Sequence, residues 1–127
     1  MGNGKVMTAE ELHFLGIKVV YKDMVDKGYE VLNVRQELDV NPQILARKDG
    51  KRYFIVVRTT VYPKKGILFP HVAADVLKHA MKHSATCLFG SVGIANANGE
   101  SDEEMGKPEV GGEYYINYEG LQDFPIL

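Results

Sequence analysis

The sequence predicts an α/β fold with a mixed β-sheet flanked by helices. Three observations lead to this prediction: two segments with helical periodicity, several short apolar runs typical of strands, and an Asp49-Gly50 pair between two such runs. Asp-Gly favours a type I′ turn, in which both central residues have positive φ, so it indicates a hairpin within residues 41–60. The elements follow the order αβββαββ. Because 127 residues can bury a substantial core, residues 1–127 are interpreted as a single domain.

The first helix is predicted to follow a flexible lead-in at residues 1–7. Thr8 and Glu11 have the spacing of a capping box, in which each side chain bonds the other residue's backbone N–H. The helix should extend to about Lys27. Gly16 in mid-helix costs up to about 1 kcal/mol relative to alanine, which suggests a close crossing over a strand. The residues expected to face inward are Leu12, Leu15, Val19 and Met24.

Three strands are predicted next. Residues 29–36 form the first strand, and the hairpin at residues 41–60 supplies the second and third. The run at residues 54–57 has no polar interruption, which indicates a central strand covered on both faces. The third strand should end near Tyr62, where a Pro63-Lys64-Lys65-Gly66 segment breaks the pattern.

A second helix is predicted to open at Pro70, since proline in the first helical turn does not remove a needed hydrogen bond. Residues 86–95 form a further strand, whose two glycines suggest a bulge or a close backbone approach. Residues 96–109 are expected to form an acidic loop. Residues 113–118 are expected to form an edge strand before an apolar tail. The apolar face of the second helix comprises Val72, Ala73, Val76, Leu77, Ala80 and Met81.

The composition is that of a globular protein, with 45% hydrophobic and 25% charged residues. No apolar run approaches the roughly 20 residues of a membrane span, so no membrane partner is expected. The N-terminus lacks the apolar stretch of a secretory signal. The single cysteine, Cys87, excludes an internal disulfide and a cysteine-based zinc site. A reducing compartment, the cytoplasm, is therefore the expected location.

The charge distribution is more informative than the net charge of −2. No acidic residue lies between Lys51 and Ala74, and basic residues are concentrated there. This asymmetry favours contact with a polyanion such as DNA or RNA. The alternative is an ordinary solvated surface with one acidic loop. The basic residues are Lys51, Arg52, Arg58, Lys64 and Lys65.

The segment Gly28-Tyr29-Glu30 comes before a strand, and the hairpin carries Pro42, Ile44, Leu45, Ala46, Asp49 and Gly50. In order and spacing these residues resemble the PD-(D/E)xK nuclease superfamily, the restriction-endonuclease-like fold, and in particular its Holliday-junction-resolvase-like members. The resemblance covers roughly residues 8–95. It implies a core in which two acidic residues hold Mg²⁺ and a lysine assists attack on a phosphate.

At the three catalytic positions that the resemblance implies, this chain has Gln43, Val56 and Arg58. An amide is a poor Mg²⁺ ligand, an isopropyl group is none, and arginine has a pKa too high to accept a proton. No catalytic residue, metal or cofactor is therefore expected. Arg58 is expected to contact a phosphate or, equally, to pair with a neighbour such as Glu30.

A metal-dependent nuclease with relocated acidic ligands is the enzymatic alternative, and it would require Mg²⁺. The acids available for relocation include Asp39, which is expected in a turn, and Asp75, which is expected on the polar face of the second helix. His79 and His83 are one helical turn apart, as a shared metal would need, but no third ligand is evident. They are interpreted as solvated side chains. Glu11 and Glu30 complete the set of candidate acids.

The leading functional interpretation is a catalytically inactive domain of this fold that binds nucleic acid or serves as an interaction module. Its predicted binding residues are the five basic residues between Lys51 and Lys65. The structural alternative is a homodimeric scaffold with no nucleic-acid role. In that case the strand at residues 113–118 and the apolar tail at residues 124–127 would lie between subunits.

Overall fold

The computed structural model describes residues 4–125. Its elements are α1 (Ala9–Asp26), β1 (Glu30–Val34), β2 (Ile44–Lys48), β3 (Lys51–Val61), α2 (Pro70–Lys82), β4 (Ala85–Asn96), α3 (Asp102–Met105), β5 (Tyr114–Asn117) and β6 (Gln122–Asp123). The sheet has the order β1-β2-β3-β4-β5, and β6 also pairs with β4. The β3–β4 pair is parallel, whereas the other pairs are antiparallel. The predicted α/β class with a mixed sheet is confirmed.

The central strand β3 separates two buried clusters, because successive side chains of a strand point to opposite faces. Ile55 and Val57 pack in the cluster that includes α1. Phe54 and Val56 pack in the cluster that includes α2. One helix therefore covers each face of the sheet, and the prediction that residues 54–57 are covered on both faces is confirmed.

The N-terminus of α1 has the predicted capping box. The Glu11 N–H donates to Thr8 Oγ1 at 3.2 Å, and the Thr8 N–H donates to Glu11 Oε1 at 2.9 Å. The inward stripe differs from the predicted one. Leu12 and Leu15 only flank the core, and Val19 is half-buried. The buried residues of α1 are instead His13, Gly16, Ile17, Val20 and Met24.

The stripe is rotated because α1 crosses β3 with its backbone close to the sheet. A Cβ atom added at Gly16 would lie 1.6 Å from Thr59 Oγ1, so only glycine fits there. The same kind of contact explains a glycine in β4: a Cβ at Gly90 would lie 2.8 Å from Val20 Cγ2. Since the β3–β4 register is unbroken, close approach rather than a bulge accounts for this glycine.

The hairpin between β2 and β3 is formed as predicted. Asp49 has φ 52° and Gly50 has φ 77°, which are the positive values that a type I′ turn requires. The register Lys48↔Lys51 closes the two-residue loop, and Ile44↔Ile55 marks the other end of the ladder. Beyond that pair β3 continues without β2 beside it.

The second half of the chain departs from the predicted order of elements in two places. The acidic segment at residues 96–109 contains the short helix α3, capped by Ser101, whose Oγ accepts from the Glu104 N–H. The tail contributes β6, and Phe124 packs beside the α2-side core. The observed order therefore adds α3 and β6 to αβββαββ. Residues 126–127 of the predicted tail lie outside the described residues.

Residues 5–7, which were expected to be a flexible lead-in, instead pair with residues 108–110. Val6 forms an isolated bridge with Glu109, and the Met7 N–H donates to the Pro108 carbonyl at 2.9 Å. Residues 1–3 of the lead-in lie outside the described residues. Met81, expected on the apolar face of α2, is 80% exposed because the buried line of that helix is Ala73, Val76 and Ala80.

Within residues 4–125, no helix combines the length and the apolar character needed to cross a membrane.

Candidate functional site

Gln43 occupies the position where the nuclease resemblance implies an acid, and its side chain is fully buried. It lies just before β2, where β3 continues without β2 beside it. The Val57 N–H donates to Gln43 Oε1 at 2.8 Å, so the side chain replaces the missing strand partner. The Gln43 Nε2 group donates to the Val40 carbonyl at 2.8 Å and to Asn41 Oδ1 at 2.9 Å. Both ends of the carboxamide are thus used inside the protein.

Arg58 is half-buried and joins the same hydrogen-bond network. It donates to Asn41 Oδ1 at 2.8 Å, to Gln43 Oε1 at 3.3 Å and to its neighbouring Val57 carbonyl at 3.0 Å. Burial lowers the pKa of Arg58, but a guanidinium stays charged at neutral pH. The expected pairing with Glu30 is wrong, because Glu30 instead bonds Arg47 at 2.8 Å.

Val56, at the second implied acid position, is completely buried in the α2-side cluster. The three implied catalytic positions therefore present an amide, an isopropyl group and a cation. Among residues 4–125, no group of three or more His, Cys, Asp or Glu side chains is arranged to hold a metal ion.

His13 adjoins this network and was not singled out from the sequence. It is 4% exposed, and its Nε2 atom is buried without a hydrogen-bond partner. Burial lowers the pKa of His13, and the Arg58 cation lowers it further, whereas a hydrogen bond to the Glu37 backbone opposes both. The sequence pattern missed His13 because the buried face of α1 is rotated relative to the predicted one, and His13 lies on that rotated face.

The relocated acids do not converge on the network. Asp39 lies in the predicted turn, exposed, and lines an open groove of about 800 Å³ together with Glu37 and Glu11. The Thr8 N–H holds the Glu11 carboxylate and lowers its pKa. Asp75 is exposed on α2. These placements provide no shared metal site.

The five basic residues predicted to bind nucleic acid fall into three places. Lys51 and Arg52 lie at the hairpin end of β3, whereas Lys64 and Lys65 follow its opposite end. At about 3.3 Å per residue, the strand separates these ends by roughly 30 Å. Lys65 also approaches Glu119 at 3.9 Å. Arg58 lies between them and is engaged in the network described above.

The structure assembles a different cationic group around the hairpin end. Because β4 runs parallel to β3 and begins opposite Arg52, the end of α2 lies beside the hairpin. The cations Lys51, Arg52 and Lys82, together with the neighbouring His83, line an open depression of about 600 Å³, here named the hairpin groove. Arg52 Nη1 donates to the His83 carbonyl at 3.5 Å. Lys82 and His83 are 30 positions from the hairpin, so sequence proximity could not group them with it.

The other side chains considered from the sequence, His79, His83 and Cys87, all contact neighbouring residues of the α2 side of the sheet. His79 and His83 have ring centroids 4.8 Å apart, and both rings approach Phe54. Cys87 is buried, and burial raises the pKa of its thiol, which fits a packing residue rather than a nucleophile.

Comparison with known proteins identifies a family. No curated protein sequence matches the chain. The family model described as "Domain of unknown function (DUF8840)" matches residues 10–124. Apart from the first residue of α1, this match includes every element to β6, with the hairpin, the Gln43–Arg58 network and the hairpin groove. The chain therefore belongs to the DUF8840 family.

Proposed function

We propose that this chain is a restriction-endonuclease-like domain that has lost metal-dependent cleavage and binds nucleic acid through the hairpin groove. The fold assignment is supported by the order helix, three strands, helix and strand over residues 9–96, with a hairpin followed by a parallel crossover. The loss of cleavage is supported by Gln43 and Arg58 at two of the implied catalytic positions. Mg²⁺ prefers carboxylate oxygens as ligands, whereas the Gln43 amide is already hydrogen-bonded within the protein and Arg58 is a cation.

The observation that carries the binding function is the hairpin groove. Lys51, Arg52, Lys82 and His83 converge there from the hairpin and from the end of α2, and no acidic residue is among those described as lining it. Such clusters attract phosphates without reading sequence, and their affinity falls with salt as counterions are released. Arg58 is the less accessible candidate because its guanidinium already has three acceptors.

The proposal is tested by fluorescence anisotropy of labelled DNA and RNA in single-stranded, duplex and branched forms, titrated across salt concentrations. The double variant Lys51→Glu/Arg52→Glu should abolish saturable binding. Lys64→Glu should leave most of it, because Lys64 follows the far end of β3. The double variant Lys18→Glu/Lys22→Glu makes the same change of charge at two exposed positions on α1, over the opposite face of the sheet, and serves as the control.

Three results would contradict the proposal. Absence of binding tighter than about 10⁻⁴ M at physiological salt would remove the nucleic-acid role. Equal losses in the hairpin double variant and in Lys18→Glu/Lys22→Glu would indicate a net-charge effect rather than a site. Cleavage on addition of Mg²⁺ or Mn²⁺ would instead favour a nuclease with relocated ligands, and Asp75→Ala would then test whether Asp75 is one of them.

A homodimeric scaffold is the second candidate, and exposed apolar side chains on β5 favour it. Tyr115 is 62% exposed and Ile116 is 47% exposed on the strand that ends the main path of the sheet. The predicted contribution of the tail is reduced, because Phe124 packs within the same chain. For either function we propose a reducing compartment such as the cytoplasm, since the buried Cys87 is the chain's only cysteine.

A further inference from the structure

A second, smaller cavity opens directly beside the hairpin groove. It has a volume of about 280 Å³ and is here named the histidine pocket, after His79 and His83 in its wall. Arg52 and His83 line both cavities, so the two adjoin each other. The pocket lies on the α2 side of the sheet, over β1 and β2, and its apolar floor includes Leu32 and Leu45.

The wall of the histidine pocket is built from three rings. The Phe54 centroid lies 5.4 Å from His79 and 5.9 Å from His83, and the two imidazoles are 4.8 Å apart. Phe54 is 7% exposed and fixed in the α2-side core, whereas both histidines are exposed. Exposed rings held against a rigid aromatic support are a surface on which a planar base can stack.

The charged residues described around these three rings are all basic. Arg35 lines the pocket, and Lys51, Arg52 and Lys82 line the adjoining groove. No acidic residue occurs among the described residues lining either cavity. A ligand that fits both cavities therefore combines a flat apolar group with an anion, and the two parts lie side by side. A nucleotide has this construction.

We propose that the histidine pocket receives one unpaired nucleobase while the hairpin groove holds the phosphates of the same strand. This inference rests on the proposed nucleic-acid function and narrows it to single-stranded regions. In a duplex the base is stacked and paired, and its extraction would cost binding free energy that a loop or free strand does not lose. Arg52 lines both cavities and would contact the phosphate nearest the stacked base.

The test compares three labelled probes of equal length by anisotropy: a single strand, an abasic single strand with the same phosphates, and a blunt duplex. The single strand should bind best. His79→Ala should weaken its binding about 5- to 160-fold, as expected for removal of one base–aromatic stack, and should leave abasic binding unchanged. His71→Ala removes another exposed histidine of α2 that lines neither cavity, and it should have no effect.

Circular dichroism melting of each variant separates loss of binding from loss of folding. Equal affinity for the base-bearing and abasic strands, with no effect of His79→Ala, would overturn the pocket assignment while leaving the proposed function intact. Binding of none of the three probes would overturn both. A further result would be complete displacement of the labelled single strand by a nucleoside monophosphate added at the same concentration as the strand. That result would overturn the assignment of a strand as the ligand and favour a free nucleotide.

Discussion

The side chain of Gln43 makes a hydrogen bond to β3 that the backbone of a neighbouring strand would otherwise make. Its Oε1 accepts the Val57 N–H that β2 no longer reaches, and its Nε2 donates to Val40 and Asn41. The residue type at this position, and thus the absence of an acid, was visible in the sequence. The hydrogen bonds were not, because they depend on where β2 begins relative to β3. That start was fixed only by the three-dimensional register.

We expect His13 to make the stability of the fold depend on pH. Burial and the Arg58 cation keep the pKa of folded His13 below the ordinary value of 6.5. As the pH falls below 6.5, the unfolded chain takes up a proton that folded His13 still lacks. The free energy of unfolding therefore decreases by up to about 1.4 kcal/mol per pH unit for this one group, until the pH passes the lowered pKa.

We expect His13→Gln to reduce this acid dependence, because glutamine has no proton to gain. Urea unfolding measured between pH 7.5 and pH 5 should show a smaller loss of stability in the variant than in the parent chain. His71→Gln, at an exposed position on α2, should keep the parental slope. Identical slopes for His13→Gln and the parent would mean that His13 is not the group responsible.

At the scale of elements, α1 is held close to β3 by the pairing of Gly16 with Thr59. The sequence predicted that a mid-helix glycine marks a crossing, and the structure confirms it. It did not predict the rotation of the buried stripe, because the partner strand's small side chain is remote in sequence. Thr59 Oγ1 is also buried without a hydrogen-bond partner, which is a local cost of this close contact.

The sign of the change in stability caused by Gly16→Ala tests whether α1 crosses β3 closely at this residue. Helix propensity alone would stabilise the variant by about 1 kcal/mol. The new Cβ would lie 1.6 Å from Thr59 Oγ1, so we expect a net loss of about 1–3 kcal/mol in urea unfolding instead. In a double-mutant cycle, Thr59→Gly should recover much of that loss. Stabilisation by Gly16→Ala alone would contradict the crossing.

Elements defined by local chemistry were the most predictable. The capping box at Thr8 and the Asp49-Gly50 turn depend on a few adjacent residues, and both were predicted correctly. The short helix α3 was missed because acidic, glycine-flanked residues also suit a loop. The strand β6 was missed because two residues carry no periodicity, and its existence depends on the exposed edge of β4.

At the scale of the whole molecule, topology determines which charges act together. The sequence placed five cations in one acid-free interval, but β3 separates them, with two at its start, one within it and two beyond its end. The parallel crossover then brings the end of α2 to the hairpin and creates the hairpin groove. Charge content was therefore predictable, whereas charge grouping required the strand order.

The position of β5 at the end of the main path of the sheet, with exposed apolar side chains, predicts self-association. We expect sedimentation velocity across a series of protein concentrations to show a dimer that Ile116→Lys weakens, because a charge on an edge strand opposes strand pairing. Val25→Lys is a matched control, since Val25 on α1 is also apolar and has the same 47% exposure. A concentration-independent monomer would rule out this interface. A salt-independent dimer with no affinity for polyanions would favour the scaffold function.

The parallel pairing of β3 with β4 also bears on how quickly the protein folds. Each of its ten residue pairs joins positions 33 apart in the chain, whereas the β2–β3 hairpin is closed by two residues. Contacts of long sequence separation require loop closure before they contribute any stability, and this slows folding. Because the hairpin closes over two residues, it can form before β4 packs beside it, and until then β3 has one of its two edges unpaired. The basic residues Lys51 and Arg52 lie at the start of that edge and disfavour its pairing with another chain.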